Sequence, residues 1–392
     1  MEKFIYMDNS ATTPVKKEVL EEMLPYFTEK YGNPSSIYSL GSQSKVAVEA
    51  SREKIAKAIG ANSREVFFTA GGSEADNWAL KGVAFANRKK GNHIITSKIE
   101  HHGILHTCQY LEKQGFRVTY LDVDEYGIVD LNQLRESITD DTILISIMFA
   151  NNEIGTIQPI KEIGEIAKEK GVYFHTDAVQ AVGHIKIDVN ELNIDILSMS
   201  AHKFYGPKGI GALYIRQGVK IDPLITGGGQ ERNRRAGTEN VPGIVGMGKA
   251  IELAYENVDE HNERLISLRE KLIDKVFKNI DHVRLNGHPT NRLPGNVNLC
   301  FEFIEGESLL LSLDMEGIAG SSGSACTSGT LDPSHVLLAI GLPHEIAHGS
   351  LRLTLGDFNT EEEVDYVVEK LIEIVSRLRA MSPLYEKIKE DK

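Results

Sequence analysis

The first two-thirds of the chain alternates short apolar runs with stretches of helical periodicity. The apolar runs predict strands at 65–69, 93–97, 117–121, 142–148, 172–176, 194–199 and 210–215. Between many of them apolar residues repeat with the helical period, as at 159–171. Apolar strands separated by helices are typical of a mostly parallel sheet covered on both faces, here of seven strands. Ligands bind such sheets beyond the carboxyl ends of the strands, so polar residues there are examined first.

Residues 243–280 predict long helical structure, and the pattern changes after them. Shorter strand patterns follow near 296–303, and then come a loop of glycine and serine residues and a final helix. Thr360 and Glu363 have the spacing of a capping box at the start of that helix. We therefore predict a boundary near residue 258 between a large α/β domain and a smaller α+β domain.

Composition excludes several classes of protein. The chain has 392 residues and a formal net charge of −13, which disfavours stable binding to a nucleic-acid backbone. Its longest apolar runs, such as 143–150, are too short to cross a bilayer. The N-terminus lacks the charged, apolar and small-residue pattern of a signal peptide. We therefore expect a cytoplasmic protein without a membrane partner.

The three cysteines, Cys108, Cys300 and Cys326, have different surroundings. Their odd number and the absence of a CxxC pair argue against a disulfide framework or a structural zinc site. Cys108 lies in a predicted helix and Cys300 in a predicted strand, so both are interpreted as small core residues. Cys326 lies in GSSGSACTSGT, where no large side chain is present to bury it. It is either a free surface thiol or a reactive group.

Three polar segments at predicted strand ends each allow a functional and a local explanation. Gly72 and Ser73, in FTAGGSEADN, form either a phosphate cradle at a helix N-terminus or a simple turn. Asp177 is either the partner of a cationic ring nitrogen or a helix N-cap. Lys203 is either an imine-forming lysine or a solvated loop residue. Taken together, a phosphate cradle, a carboxylate and a lysine are the groups that pyridoxal 5′-phosphate requires.

The sequence resembles the NifS/IscS-type cysteine desulfurases of the class V aminotransferase family almost from end to end. The motifs that carry this resemblance are MDNSATTP (7–14), YGNPSS (31–36), EHHGIL (100–105), ANNEIGTIQP (150–159), SAHKFYGPKGIGALY (200–214), GGGQERNRRAGTEN (227–240), SSGSACTSG (321–329) and AHGSLRLTLG (347–356). The resemblance implies fold type I of the pyridoxal-phosphate enzymes. It also implies a large domain at 16–257 and a small domain at 258–392, completed by residues 1–15 and carrying the cysteine loop 320–335.

The resemblance also assigns roles in cofactor binding. Lys203 would hold the cofactor covalently, Asp177 would pair with its ring nitrogen, and His101 would stack on its ring. His101 is also the candidate base that would help to form the thiolate of Cys326. The remaining cofactor contacts would be made by Gln180 to the phenolic oxygen, by Gly72, Ser73, Ser200 and His202 to the phosphate, by Asn152 near the ring, and by Thr238 to the phosphate of the other subunit of a homodimer.

The same resemblance assigns the substrate and sulfur-transfer groups. Asn152 and Arg352 would bind the carboxylate of L-cysteine, and Cys326 would accept the sulfur as a persulfide. The acceptor would be an iron–sulfur scaffold protein of IscU/NifU type, with Cys326 as a transient ligand of the cluster metal. Thiolated tRNA and thiamine precursors stay open as destinations of the sulfur.

Other functions stay open from the residues alone. A related lyase acting on selenocysteine and a class V transaminase would use the same cofactor site. A catalytically inactive partner that only binds a scaffold protein is a third alternative. The sequence also departs from the family pattern at His102, where lysine is frequent, and at Asp357, where a basic residue is frequent.

Overall fold

The computed structural model of the protein describes residues 4–322, 333–383 and 385–386. Its strands are β1 (Ile5–Tyr6), β2 (Val66–Thr69), β3 (His93–Ser97), β4 (Arg117–Leu121), β5 (Thr142–Ser146), β6 (Tyr173–Asp177), β7 (Ile196–Ser200), β8 (Gly211–Ile215), β9 (Gly229–Gln230), β10 (Arg235–Ala236), β11 (Val283–Leu285), β12 (Asn296–Phe301), β13 (Ile318–Ala319) and β14 (Ser350–Thr354).

The helices lie before, between and after these strands. They are α1 (Lys17–Met23), α2 (Pro25–Thr28), α3 (Ser39–Ala58), α4 (Gly72–Asn87), α5 (His102–Lys113), α6 (Leu131–Ser137), α7 (Ile160–Lys170), α8 (Val241–Glu256), α9 (Val258–Asn279), α10 (Gly306–Met315), α11 (His335–Ala339), α12 (His344–Ala347) and α13 (Glu361–Ala380). No helix within the described ranges is both long enough and apolar enough to span a bilayer.

The seven predicted strands form one sheet in the order β2-β8-β7-β6-β5-β3-β4. The central strands pair in parallel, whereas β8 is antiparallel to both of its neighbours, β2 and β7. The connection from β7 to β8 explains this exception, because residues 201–210 contain only a short 3₁₀ turn and no crossover helix. The prediction of a mostly parallel, seven-stranded sheet is confirmed.

Both faces of the sheet are covered by helices. On one face α3, α7 and α8 contribute buried residues such as Ile55, Ile163 and Met247. On the other face α4 and α5 contribute Trp78, Ile104 and other apolar residues. Cys108 belongs to this second core and is fully buried, as the sequence predicted.

A smaller antiparallel sheet, β11-β12-β14, packs against α9, α10 and α13 around a separate apolar core. The N-terminal strand β1 pairs in parallel with β13, and it contributes Ile5 to this core. Cys300 is buried in β12, as predicted. The capping box at α13 is also confirmed, because the hydroxyl of Thr360 accepts a hydrogen bond from the N–H of Glu363. The domain boundary at residue 258 stays a prediction.

Candidate active site

The three polar segments singled out in the sequence lie at the carboxyl edge of the large sheet. Asp177 is the last residue of β6, and Ser200 is the last residue of β7. Lys203 ends the 3₁₀ turn Ala201–Lys203 that follows β7 directly. Because neighbouring parallel strands end at the same edge, these side chains share one site.

The phosphate cradle is built from the N-terminus of α4. Gly71 has a φ of +150°, which side chains rarely tolerate, and it begins the helix without a side-chain cap. A Cβ at Gly72 would lie 2.7 Å from the Cγ2 atom of Val179. A cavity of about 480 Å³ opens here, and its lining includes Thr12, Gly71, Gly72, Ser73, Ser200 and His202. The free N–H groups and positive end of the helix suit a phosphate.

Lys203 and Gln180 converge on the N-terminal segment of the chain. The ammonium group of Lys203 donates hydrogen bonds to the carbonyl oxygens of Ser10 and Ala11. The side-chain amide of Gln180 donates to the same Ser10 oxygen at 2.9 Å. Lys203 is partly buried rather than a fully solvated loop residue. Sequence reasoning assigned no role to Ser10 because a backbone oxygen carries no signal in the side-chain pattern.

Asp177 is a buried carboxylate at the centre of the site. It is 6% exposed, and its Oδ1 atom accepts a hydrogen bond from the N–H of Val179 at 3.0 Å. Turns rather than a helix follow it, so the alternative of a helix N-cap is wrong. Burial raises the pKa of Asp177, whereas His101 and Lys203 lower it. A further cation, such as a protonated ring nitrogen, would stabilise the carboxylate.

His101 is the N-cap of α5, and its Nδ1 atom accepts a hydrogen bond from the N–H of Gly103 at 3.0 Å. Burial lowers the pKa of His101, and so does Lys203, while Asp177 raises it. Because Nδ1 acts as an acceptor, the ring carries its proton on Nε2. The imidazole is thus held as a neutral, oriented ring beside Asp177.

At the substrate end of the site, Arg352 pairs with Asp8, a residue to which the sequence analysis assigned no role. Arg352, on β14, donates from Nη2 to the carboxylate of Asp8 at 2.9 Å. Its Nη1 atom donates to the backbone oxygen of Asn152 at 3.0 Å. Its Nε atom is buried and has no hydrogen-bond partner among the described residues. A ligand carboxylate would satisfy this orphaned donor. Asp8 belongs to the MDNSATTP motif, which offered a signal, but its pairing depends on tertiary contacts.

Two predicted site residues, Thr238 and Cys326, are not part of this cluster as the structure describes it. Thr238 is exposed and lines a separate cavity of about 160 Å³ together with Ala70 and Gly209, which also line the cradle. Its contact with a second subunit stays a prediction. Cys326 lies outside the described residues.

The two departures from the family pattern have local explanations. Asp357 forms an ion pair with Lys16, and its Oδ1 atom lies 3.1 Å from Nε2 of His261. It thereby joins the N-terminal segment to α9. The ring of His102 lies 4.8 Å from the ring of His335 and 5.0 Å from that of His106. A lysine at residue 102 would place a permanent charge among these imidazoles.

The residues at this edge fit pyridoxal phosphate. A glycine-rich helix N-terminus fits the phosphate, a buried carboxylate fits the ring nitrogen, and a partly buried lysine fits the aldehyde. The orphaned Nε donor of Arg352 lies at the same site and suits an amino-acid carboxylate.

Comparisons with known proteins agree with this geometry. The family model "Aminotransferase class-V" matches residues 5–367. Cysteine desulfurase IscS of Clostridium botulinum is 66% identical over 100% of both chains. A solved NifS-like protein matches with a TM-score of 0.91 and 43% identity, covering 96% of this chain and 100% of that chain. A structure titled "SspA in complex with cysteine" matches with a TM-score of 0.81 and 40% identity, covering 91% of this chain and 100% of that chain. The chain therefore belongs to the class V aminotransferase family, and within it to the pyridoxal-phosphate-dependent NifS/IscS-type cysteine desulfurases.

Proposed function

We propose that the chain converts L-cysteine to L-alanine and keeps the sulfur as a persulfide on Cys326. The observation that carries this proposal is the position of the two flanks of the cysteine loop. Ser321 exchanges backbone hydrogen bonds with Arg352, the proposed substrate-binding arginine. On the other flank, the hydroxyl of Ser334 donates to the carboxylate of Glu153. Glu153 adjoins Asn152, whose backbone oxygen binds Arg352.

Chain geometry limits the distance that Cys326 can reach. It follows Ser321 by five residues, which span at most about 17 Å when fully extended. Ser321 is itself paired with the strand that carries Arg352. Chain length therefore keeps Cys326 within about 17 Å of the strand that carries Arg352, which supports it as the sulfur acceptor.

The cofactor-binding residues have complementary roles in the proposed reaction. When bound, pyridoxal phosphate supplies an aldehyde that condenses with amines and a ring that withdraws electrons from the bonds at Cα. Asp177 would keep the ring nitrogen protonated, and Gln180 would bind the phenolic oxygen. Lys203 would hold the aldehyde and would take up the proton from Cα of the substrate. His101 would stack on the ring, where it can hold a proton on its Nε2 atom.

The remaining contacts position the ligand groups. The phosphate would be held by Gly72, Ser73, Ser200 and His202, and Thr238 of a second copy would complete that site. Arg352 and Asn152 orient the carboxylate of L-cysteine. An arginine suits this task because its planar fork can donate two parallel hydrogen bonds to a carboxylate.

Sulfur transfer then divides a difficult reaction into two steps. The thiolate of Cys326 attacks the sulfur of the bound cysteine, so that a sulfur–sulfur bond forms while the carbon–sulfur bond breaks. The electron pair released to the carbon takes up a proton, and alanine leaves. The balance is one L-cysteine and one enzyme thiol giving one alanine and one enzyme persulfide.

We also propose that the enzyme acts as a homodimer and passes sulfur to an iron–sulfur scaffold protein of IscU/NifU type, with Cys326 as a transient cluster ligand. Support for the homodimer comes from the large apolar residues that are exposed between residues 20 and 46, namely Leu20, Leu24, Phe27, Tyr31, Ile37, Tyr38 and Val46. Many exposed large apolar side chains in one part of a chain favour a protein interface there. Ser35, inside this segment, donates a hydrogen bond to Gln230, which links the surface to the segment that carries Thr238.

One experiment separates this proposal from the alternatives. Purified protein is mixed with L-cysteine, and alanine is measured together with the mass of the peptide that contains Cys326. We expect alanine and the gain of one sulfur atom on that peptide. A keto acid instead of alanine would indicate a transaminase, and preference for selenocysteine would indicate the related lyase. A colourless protein without activity would indicate a binding partner.

The control variants are Cys326→Ala and Cys108→Ala. Cys108 is a fully buried thiol whose pKa is raised by burial, so it should not accept sulfur. Cys108→Ala should keep the persulfide on Cys326, whereas Cys326→Ala should abolish sulfur release. If Cys326→Ala releases alanine and sulfide at the wild-type rate without added thiol, the persulfide step is wrong.

A further inference from the structure

A row of buried polar side chains lies under Asp177, between the large sheet and α4. Ser146, His175 and Ser198 project from three neighbouring strands and are 0% exposed. Asp76, on α4, faces them and is 2% exposed. The proposed reaction uses none of these groups, and buried polar atoms destabilise a fold unless they are hydrogen-bonded.

Hydrogen bonds join this row into one network. The Nδ1 atom of His175 lies 2.9 Å from the hydroxyl of Ser146, and its Nε2 atom lies 2.9 Å from that of Ser198. The Oδ1 atom of Asp76 lies 3.8 Å from Nε2 of His175, which places its carboxyl group beside the His175–Ser198 pair. Ser198 is also the register partner of Asp177 across the two strands. The network therefore ends directly beside the proposed ring-nitrogen ligand.

Asp76 has an orphaned oxygen atom. Its Oδ1 is buried and makes no hydrogen bond to the described residues. An ionised carboxylate needs hydrogen-bond donors or cations around both oxygens, and a dry site that provides neither favours the neutral acid. Burial, and secondarily the charge of Asp177, raises the pKa of Asp76 well above its usual range.

The groups around Asp76 do not provide a positive charge that would compensate a second ionised carboxylate beside Asp177. The titratable groups that face it or its immediate neighbours are Asp177, Glu100, His175, His101 and Lys203. Burial lowers the pKa of His175 to about 3, so its ring is neutral and provides no cation. Burial likewise raises the pKa of Glu100 to about 8, which keeps that carboxyl protonated at neutral pH. A protonated ring nitrogen is matched by Asp177 alone.

We infer that Asp76 is a positioning residue that stays protonated and, through Ser198 and His175, keeps Asp177 as the ionised carboxylate that faces the cofactor ring. The neutral acid donates its O–H into the network of hydroxyl groups. An ionised Asp76 would instead place a second negative charge beside Asp177. This inference rests on the proposed role of Asp177.

Replacement of Asp76 by asparagine tests the charge while keeping the shape. The full-length, cofactor-loaded wild type and the Asp76→Asn variant are compared by unfolding in urea between pH 5 and pH 9, and cofactor affinity is measured at pH 7. Asp140→Asn is the control, because Asp140 is an exposed carboxylate before the amino end of β5, at the opposite edge of the sheet from Asp177.

A neutral Asp76 makes specific predictions. The dissociation constant of the cofactor and the absorbance of the bound cofactor at pH 7 should stay within about twofold of the wild type in Asp76→Asn. The folded state of the wild type holds a proton that its unfolded state loses near pH 4. Its unfolding constant should therefore rise relative to the variant by up to about tenfold per pH unit, until the raised pKa of Asp76 is passed. Asp140→Asn should show no such pH-dependent difference.

The opposite results would overturn the inference. If Asp76 is ionised at neutral pH, Asp76→Asn will weaken cofactor binding at pH 7, and its stability difference from the wild type will stay constant from pH 5 to pH 9. A variant that does not fold counts against the inference equally, because the amide provides the neutral group that is proposed. Asp177→Asn separates the two proposals: unchanged cofactor affinity in that variant would refute the role of Asp177, and the pH dependence in Asp76→Asn would still report the protonation of Asp76.

Discussion

Substitution of Arg352 with lysine should weaken the binding of L-cysteine and leave the binding of pyridoxal phosphate intact. The guanidinium of Arg352 donates to Asp8 and to the backbone oxygen of Asn152, and its Nε atom has no partner among the described residues. A substrate carboxylate can therefore accept from Nε and from the neighbouring Nη2 atom. Lysine keeps the positive charge that Asp8 requires but cannot donate through two parallel N–H groups.

The expected magnitude follows from the loss of one charge-assisted hydrogen bond. Such a bond contributes about 1.5–3 kcal/mol when one partner is charged. That energy corresponds to a rise of roughly 10- to 150-fold in the dissociation constant of L-cysteine. The cofactor affinity should change by less than about twofold, since Arg352 is assigned no contact with the phosphate or the ring nitrogen.

Spectroscopic titration of the loaded enzyme with L-cysteine measures the first quantity, and equilibrium dialysis of the cofactor measures the second. Arg135→Lys is the matched control, because Arg135 forms an exposed ion pair with Glu169 at 3.3 Å. That control should match the wild type in both assays. Equal losses of cysteine and cofactor affinity in Arg352→Lys, or an unchanged cysteine affinity, would contradict the role given to this arginine.

Three further predictions concern the cradle, a buried carboxyl and a helix cap. Gly72→Ala would place a Cβ 2.7 Å from the side chain of Val179 and should weaken cofactor binding, measured by dialysis, by about 1–3 kcal/mol. Gly228→Ala is the control, because a Cβ there meets nothing within 4 Å, and it should leave cofactor binding unchanged. Burial raises the pKa of Glu153 to about 7, although Ser334 and Arg352 lower it. The stability that its proton confers is therefore lost as pH rises from 4.5, the ordinary pKa of glutamate, to about 7. Glu153→Gln should gain on the order of 3 kcal/mol over the wild type in urea unfolding between pH 5 and pH 8, and a pH-independent difference would argue against this. Thr360→Ala removes the cap of α13 and should lower the free energy of unfolding by about 1 kcal/mol, and Thr360→Ser should restore most of it.

The regular part of the fold was predictable because it is encoded locally. All seven strands of the large sheet were found from apolar runs, since strands buried on both faces must be almost continuously apolar. The positions of Asp177, Ser200 and Lys203 at strand ends followed from the same pattern. The antiparallel direction of β8 was not predicted, although the short connection after Lys203 contained the signal.

The sequence by itself determined the family and the cofactor, because the motifs that carry them consist of particular residue types at the ends of local elements. Only the tertiary structure decided which buried groups lie together. Asp8 pairs with Arg352 across 344 residues, and Asp76 approaches His175 from a different element. The protonation of a buried carboxyl depends on desolvation and on charges that folding brings near it, and the local sequence predicts neither of these.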